Sequence, residues 1–157
     1  MNIRRAVPAD GDALVGLWLE LWPDAPRTDH ESEIRAHFSG PARSTLPIEI
    51  LVADTGGGTL AGFVEVALRS HADGCDARHP VTYIEGWYVA PDFRRTGVGR
   101  ALIEAAEDWG RAHGCTEVAS DTWLDNEASQ AAHLALGFVE VDRCVNYRKS
   151  LSSPYHR

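Results

Sequence analysis

The segment Arg94-Arg95-Thr96-Gly97-Val98-Gly99-Arg100 has the composition of a phosphate-binding loop. It follows a strand-like run over residues 81–89 and opens a helix-like run over residues 97–113. Glycines let the backbone approach a ligand closely, and the unpaired N–H groups at a helix start attract an anion. The third glycine of the dinucleotide pattern and the Gly-Lys-Ser/Thr of the Walker pattern are both missing. The segment therefore predicts a phosphate compound that is held in another way.

Two carboxylates stand at positions that favour ligand binding. Glu85 interrupts an otherwise apolar and aromatic strand, where an unpaired charge is costly. Asp121 directly follows the strand-like residues 116–120, and ligand sites in open α/β sheets gather at the carboxyl ends of strands. Each also has a structural interpretation: Glu85 can pair with Arg69, and Asp121 can cap the next turn.

Composition limits the class of protein. The 157 residues, 44% of them hydrophobic, suffice for one domain with a core, and the net charge of -8 argues against nucleic-acid binding. That charge fits a cationic partner, although many cytosolic proteins are simply acidic. The three cysteines, at positions 75, 115 and 144, are odd in number and widely spaced. This pattern favours the reduced thiols of Cys75, Cys115 and Cys144 and argues against a metal site. With no signal-like or membrane-spanning apolar run, we expect a cytoplasmic protein without a membrane partner.

Hydrophobic periodicity predicts the elements that position these residues. Leu14, Leu17, Trp18 and Leu21 form the apolar stripe of a first helix over residues 8–21. Further strands are predicted at 2–7, 48–53, 60–68, 81–89 and 116–120, further helices at 31–38, 97–113 and 126–136, and final strands at 138–141 and 143–149. The pattern predicts one α/β domain with a mixed sheet over residues 1–151, followed by a tail at 152–157.

This order of elements resembles the GCN5-related N-acetyltransferase (GNAT) superfamily over nearly the whole chain. Arg94-x-x-Gly97-x-Gly99 matches the family's first signature, and Asn126 with Leu136-Gly137-Phe138 matches its second motif. A narrower likeness to the aminoglycoside 6'-N-acetyltransferases is carried by Leu21-Trp22-Pro23, Gly74-Cys75-Asp76, Glu85-Gly86, Ala119-Ser120-Asp121-Thr122 and Tyr147-Arg148-Lys149. The resemblance implies a mostly antiparallel sheet with a splayed central strand flanked by helices, acetyl-CoA as acetyl donor, no metal, and a homodimer.

The resemblance also implies how the donor is held. Its pyrophosphate would lie on the backbone N–H groups of Arg95, Thr96, Gly97, Val98, Gly99 and Arg100. Its pantetheine arm would run beside the central strand at Trp87, Tyr88 and Val89, which can also serve only as core residues. Asn126 would contact that arm or only cap its helix. Gly86 indicates a bulge or a close ligand approach. His133 occupies the position at which many relatives have a tyrosine that protonates the leaving thiolate; it could replace that acid, but a packing role is preferred.

For the acceptor, the resemblance implies direct attack by an amine on the thioester, with no acyl-enzyme. Glu85 and Asp121 would bind the ammonium group and accept its proton, as catalytic and substrate-binding residues. Trp22, His71 and Asp142 match further acceptor contacts, although Trp22 can simply staple its helix and Asp142 can be a turn residue. The expected activity is acetylation of the 6'-amine of aminoglycosides such as kanamycin and tobramycin. A polyamine acetyltransferase and a non-catalytic acyl-CoA sensor are the alternatives.

Overall fold

The structure is a computed structural model that describes residues 1–40 and 42–152. Its elements are β1 (Asn2–Arg5), α1 (Gly11–Leu21), α2 (Arg27–Ser39), β2 (Ile48–Asp54), β3 (Leu60–Arg69), β4 (Val81–Val89), α3 (Val98–Ala112), β5 (Val118–Ser120) and α4 (Glu127–Ala135). Short 3-10 turns at Pro8–Asp10 and Pro91–Phe93 precede α1 and the loop before α3. The chain divides into two compact units, Met1–Thr122 and Trp123–Arg157.

The five strands form one sheet in the order β1-β2-β3-β4-β5. The first three pairings are antiparallel, and β5 joins β4 in parallel over three residue pairs, from Thr82 opposite Val118 to Ile84 opposite Ser120. Beyond Ile84, no described strand pairs with this side of β4. The sheet is therefore mixed and mostly antiparallel, and its central strand separates from its neighbour, as expected for a GNAT-like fold.

Helices cover both faces of the sheet. Leu14 and Trp18 of α1 pack with Val52 and Phe63 in a buried cluster on one face. The amphipathic α3 packs on β3 and β4, and because successive strand residues alternate in direction, it uses the other face. This arrangement leaves the carboxyl-terminal half of β4 between α1 and the start of α3.

Most predicted elements are confirmed within two residues at each end, and two predictions need correction. Helix α2 begins at Arg27 rather than at residue 31. The strands predicted at 138–141 and 143–149 are wrong, because no strand is assigned after β5 in the described part of the chain. The alternation of Val139, Val141 and Val145 is that of a strand, but a strand also needs a hydrogen-bonded partner, which a sequence pattern does not supply. The predicted tail lies outside the described residues except for Ser152.

No helix in residues 1–40 and 42–152 is long and apolar enough to cross a membrane.

Candidate active site

The loop before α3 has a preformed concave backbone. Arg95 has a φ of 60° and Gly97, the residue that caps α3, has a φ of 87°, so two residues of this short loop adopt left-handed conformations. Nothing lies within 4 Å of the place where a Cβ of Gly97 would stand, so glycine is needed here for its backbone angle and not for space. The helix geometry leaves the N–H groups of Val98, Gly99 and Arg100 without an intrahelical acceptor. The loop therefore has the donors and the shape to bind an anion.

The first turn of α3 packs against the end of β4. A Cβ on Gly99 would lie 3.2 Å from the Trp87 ring and 3.6 Å from a methyl group of Val89, so the second glycine of the motif permits this contact. Arg94 donates a 2.9 Å hydrogen bond from Nε to the Val89 carbonyl and lies over the Tyr88 ring at 5.4 Å. The conformation of the loop is thus fixed by the same stretch of β4 that β5 leaves unpaired.

Tyr88 is anchored on the opposite face of β4. Its hydroxyl donates a 2.7 Å hydrogen bond to Glu20 of α1, and burial together with this bond raises the pKa of Tyr88. Trp87, Tyr88 and Val89 are all half-buried. Packing therefore accounts for part of the role of each, and contact with a ligand beside β4 remains a prediction.

Trp22 lies on the central strand at Gly86. A Cβ on Gly86 would come within 2.5 Å of the Trp22 ring, and the ring also packs edge-on against Trp18 at 5.2 Å. The packing of this indole side chain therefore already requires glycine at position 86. The predicted bulge is confirmed: Gly86 stands opposite Glu65 and Ile84 opposite Val66, which leaves Glu85 as the extra residue of β4.

Glu85 is paired with Arg69, as its structural interpretation anticipated. The guanidinium of Arg69 donates two hydrogen bonds to the carboxylate, at 2.8 and 2.7 Å, and the Glu85 side chain keeps 23% of its surface exposed. Arg69 also lies flat over the Tyr83 ring, with Cζ 3.5 Å from the ring centroid. The bulge thus presents a partly solvated carboxylate that is held by a two-point fork.

Asp121 follows β5 and accepts a short hydrogen bond from the Tyr83 hydroxyl. Tyr83 belongs to the buried part of β4, and its burial, with Asp121 as the next contribution, raises the pKa of Tyr83 far above its usual value. The phenol therefore keeps its proton and acts as a donor. Glu85 and Asp121 are brought together through Arg69 and Tyr83. Sequence reasoning anticipated Arg69 as a partner of Glu85, but it did not identify Tyr83.

A third carboxylate, Glu65, lies one strand away and was also missed. Its side chain is buried and accepts a 3.0 Å hydrogen bond from Arg43, and burial raises the pKa of Glu65. Arg43 in turn lies 5.7 Å from the centre of the Trp18 ring. A polar residue in an apolar strand was the available signal, but the partner comes from a loop that precedes β2, too far along the chain to be inferred.

The remaining predicted site residues have local contacts of their own. His71 is exposed just beyond β3, with Nδ1 3.0 Å from the Ser70 hydroxyl. In the second unit, Asn126 caps α4 by accepting a 3.1 Å hydrogen bond from the Ser129 N–H, which confirms its capping role. His133 packs edge-on against Phe138 at 5.2 Å, and Asp142 is exposed and accepts from the Arg143 N–H at 2.7 Å.

Comparison with known proteins assigns this geometry to a class. The Acetyltransferase (GNAT) family model matches residues 12–138, and the chain belongs to this family. The chain is 44% identical to the aminoglycoside N(6')-acetyltransferase type 1 of Klebsiella aerogenes, over 95% of this chain and 96% of that protein. It is 40% identical to the enzyme of the same name from Stenotrophomonas maltophilia, over 96% and 94%.

A solved structure gives the same assignment. AAC(6')-Iy in complex with a bisubstrate analogue, CoA-S-monomethyl-acetylneamine, superposes with a TM-score of 0.83 at 35% identity, covering 95% of this chain and 97% of that one.

Proposed function

We propose that this protein transfers the acetyl group of acetyl-CoA to the 6'-amine of aminoglycosides and so confers antibiotic resistance. The observation that carries the proposal is the pair Glu85 and Asp121, two carboxylates held beside the unpaired half of β4. The named relatives, which match 95% of the chain or more, support the same activity. We assign the function to a single N-acetyltransferase domain over residues 1–151, with residues 152–157 as a tail.

The residues around α3 fit acetyl-CoA, which supplies a thioester-activated acetyl group. The backbone N–H groups of residues 95–100 would bind the pyrophosphate, and the left-handed Arg95 and Gly97 give them their concave arrangement. Trp87, Tyr88 and Val89 would line the pantetheine arm where pairing of β4 with β5 ends at Ile84. Asn126 is proposed as a further contact to that arm.

The acceptor site must bind a cation and release its proton. An alkylamine with a pKa of about 10.4 is neutral in only about one molecule in 2,500 at pH 7, a deficit of roughly 4.6 kcal/mol. Glu85 and Asp121 bind the ammonium group first, and one carboxylate, directly or through water, then accepts its proton. Trp22 would form an apolar wall of this site, and His71 and Asp142 are proposed as outer contacts to the drug.

We also infer a homodimer. Apolar residues alternate in the sequence after α4, and Val139, Val141, Val145 and Tyr147 are 58–92% exposed. Such an apolar row is unfavourable in water, and pairing with the same segment of a second copy would bury it.

We also propose that the protein acts in the cytoplasm. The thiols of Cys75, Cys115 and Cys144 are free, which fits a reducing compartment.

A thiol-release screen tests the proposed activity. Purified protein with acetyl-CoA should release CoA thiol with kanamycin and tobramycin, and expression in a susceptible bacterium should raise its tolerance of these drugs. Spermidine in the same assay tests the alternative acceptor, which the acidic site would also attract. Release with spermidine alone would make the polyamine activity the correct one, and binding of acetyl-CoA without release from any amine would indicate an acyl-CoA sensor.

A further inference from the structure

A stacked pair of side chains connects the two carboxylates of the acceptor site. Arg69 forks onto Glu85 and lies on the Tyr83 ring, and the Tyr83 hydroxyl bonds Asp121. We propose that Arg69 and Tyr83 are positioning residues, which hold Glu85 and Asp121 at a fixed separation for the amine of the acceptor. The inference rests on the proposed function and names the residues on which its acceptor geometry depends.

Tyr83 orients Asp121. In the described part of the chain, its hydroxyl is the one hydrogen-bond partner of the Asp121 carboxylate, and it bonds Oδ2. Oδ1 is thereby left for an acceptor ammonium group. Tyr83 is itself 8% exposed and fixed in the sheet, so it provides a rigid support for a residue at the exposed end of β5. Burial, with Asp121 as the next contribution, raises the pKa of Tyr83, so the phenol keeps its proton and remains a donor at neutral pH.

Arg69 orients the Glu85 carboxylate. A bulged residue has no opposite residue on the neighbouring strand to fix its direction, and the two-point fork supplies that constraint. The guanidinium is planar, and its Cζ lies 3.5 Å from the Tyr83 ring centroid. The position of the Tyr83 ring therefore also sets the position of the guanidinium. A shift of either support therefore displaces both carboxylates.

A double-mutant cycle between Tyr83→Phe and Asp121→Asn tests the first contact. In the otherwise unchanged protein, Tyr83→Phe should lower kcat/KM for tobramycin by about 10- to 100-fold, the cost of a lost hydrogen bond to a charged group. In the Asp121→Asn background the same change should cost no more than about 2-fold, because Tyr83 acts through Asp121. The dissociation constant of acetyl-CoA and the melting temperature should stay close to those of the unmodified protein, since the ring is kept.

Equal losses in both backgrounds would overturn the inference, because they would reflect a general effect on packing. So would an active Tyr83→Phe variant with unchanged kcat/KM. An unmodified protein that acetylates no aminoglycoside would instead overturn the proposed function, and the inference with it.

Arg69 has a matched control in Arg78, which forks onto the surface carboxylate of Asp76 at 2.8 to 3.3 Å. Arg69→Gln should lower kcat/KM for tobramycin by about 10-fold or more, whereas Arg78→Gln should change it by less than about 2-fold. Arg69→Lys should restore only part of the loss, because an ammonium group cannot fork. A full restoration by lysine, or equal effects of the two glutamine variants, would contradict the positioning role of Arg69.

Discussion

The chemistry of single residues in this site depends on what holds each carboxylate. Asp121 is exposed and bound by a phenol that does not ionise, whereas Glu85 is bound by a permanent cation. Arg69 thus compensates the charge of Glu85 by direct contact, whereas the direct hydrogen-bond donor to Asp121 among the described residues is a neutral phenol. Asp121 is therefore the better candidate to accept the proton of the amine.

Replacing Asp121 by alanine should lower kcat for tobramycin by roughly 10²- to 10⁴-fold, the usual contribution of a general base. Acetyl-CoA affinity, measured by calorimetry, should be unchanged because the loop of residues 95–100 is untouched. Asp108→Ala is the control, since it removes another carboxylate, 78% exposed on α3 and paired with Arg111. Steady-state kinetics with an unchanged kcat would exclude Asp121 from the chemical step.

Individual residues also mark the limit of prediction from sequence at this scale. Glu85 and Asp121 were recognisable because a charge within or just after an apolar strand needs a reason. Tyr83 gave no such signal, because tyrosine is common in strands and its hydroxyl partner is 38 residues away. Gly86 predicted a bulge or a close ligand approach, and the bulge is confirmed. The close contact with Trp22 was not predicted, because the position of that ring depends on the packing of α1.

Among the elements, the start of α3 combines a proposed anion site with a structural contact. Gly97 supplies the left-handed turn, and Gly99 lets the first turn of the helix lie on Trp87. The two glycines of the motif thus have different structural roles. A substitution at Gly97 should affect ligand binding, whereas one at Gly99 should also disturb the packing of the helix on β4.

Gly97→Asp should weaken acetyl-CoA binding by at least about 100-fold, measured by calorimetry. A side chain is strained at a φ of 87°, and a carboxylate there would repel the pyrophosphate. Gly57→Asp is the matched control, because it adds the same charge in the turn between β2 and β3, where nothing lies within 4 Å of its Cβ position. Equal acetyl-CoA affinity in Gly97→Asp and Gly57→Asp would refute the predicted phosphate cradle.

Element boundaries were predictable where periodicity and capping agree. The extent of β4 was predicted correctly, and α4 begins after its asparagine cap as expected. The first turn of α2 was missed because its residues Arg27–His30 are polar and follow a proline-containing loop. The failure at residues 138–149 has a different cause: the apolar residues alternate as in a strand, but alternation does not specify a hydrogen-bonded partner, and no strand is assigned there in the described part of the chain.

Two properties of the whole molecule bear on its partners: its net charge and the row of exposed apolar residues after α4. A net charge of -8 raises the local concentration of polycationic drugs around the protein, which favours encounter without fixing specificity. The exposed apolar row after α4 is the other: Val141 and Val145 are 58% and 66% exposed, and the proposed contact with a second copy would cover them. The charge and the alternation of apolar residues can be read from the sequence, but the exposure of the row and the molecule that would cover it cannot.

The homodimer can be tested by charging this row. Val141→Lys together with Val145→Lys should convert the protein to a monomer in sedimentation velocity, because two buried ammonium groups per copy would oppose pairing. Asn146→Lys adds one such charge at a position outside the alternating apolar row and should leave the proposed dimer intact. A monomeric unmodified protein, or a double variant that remains dimeric, would show that this row is not the interface between two copies.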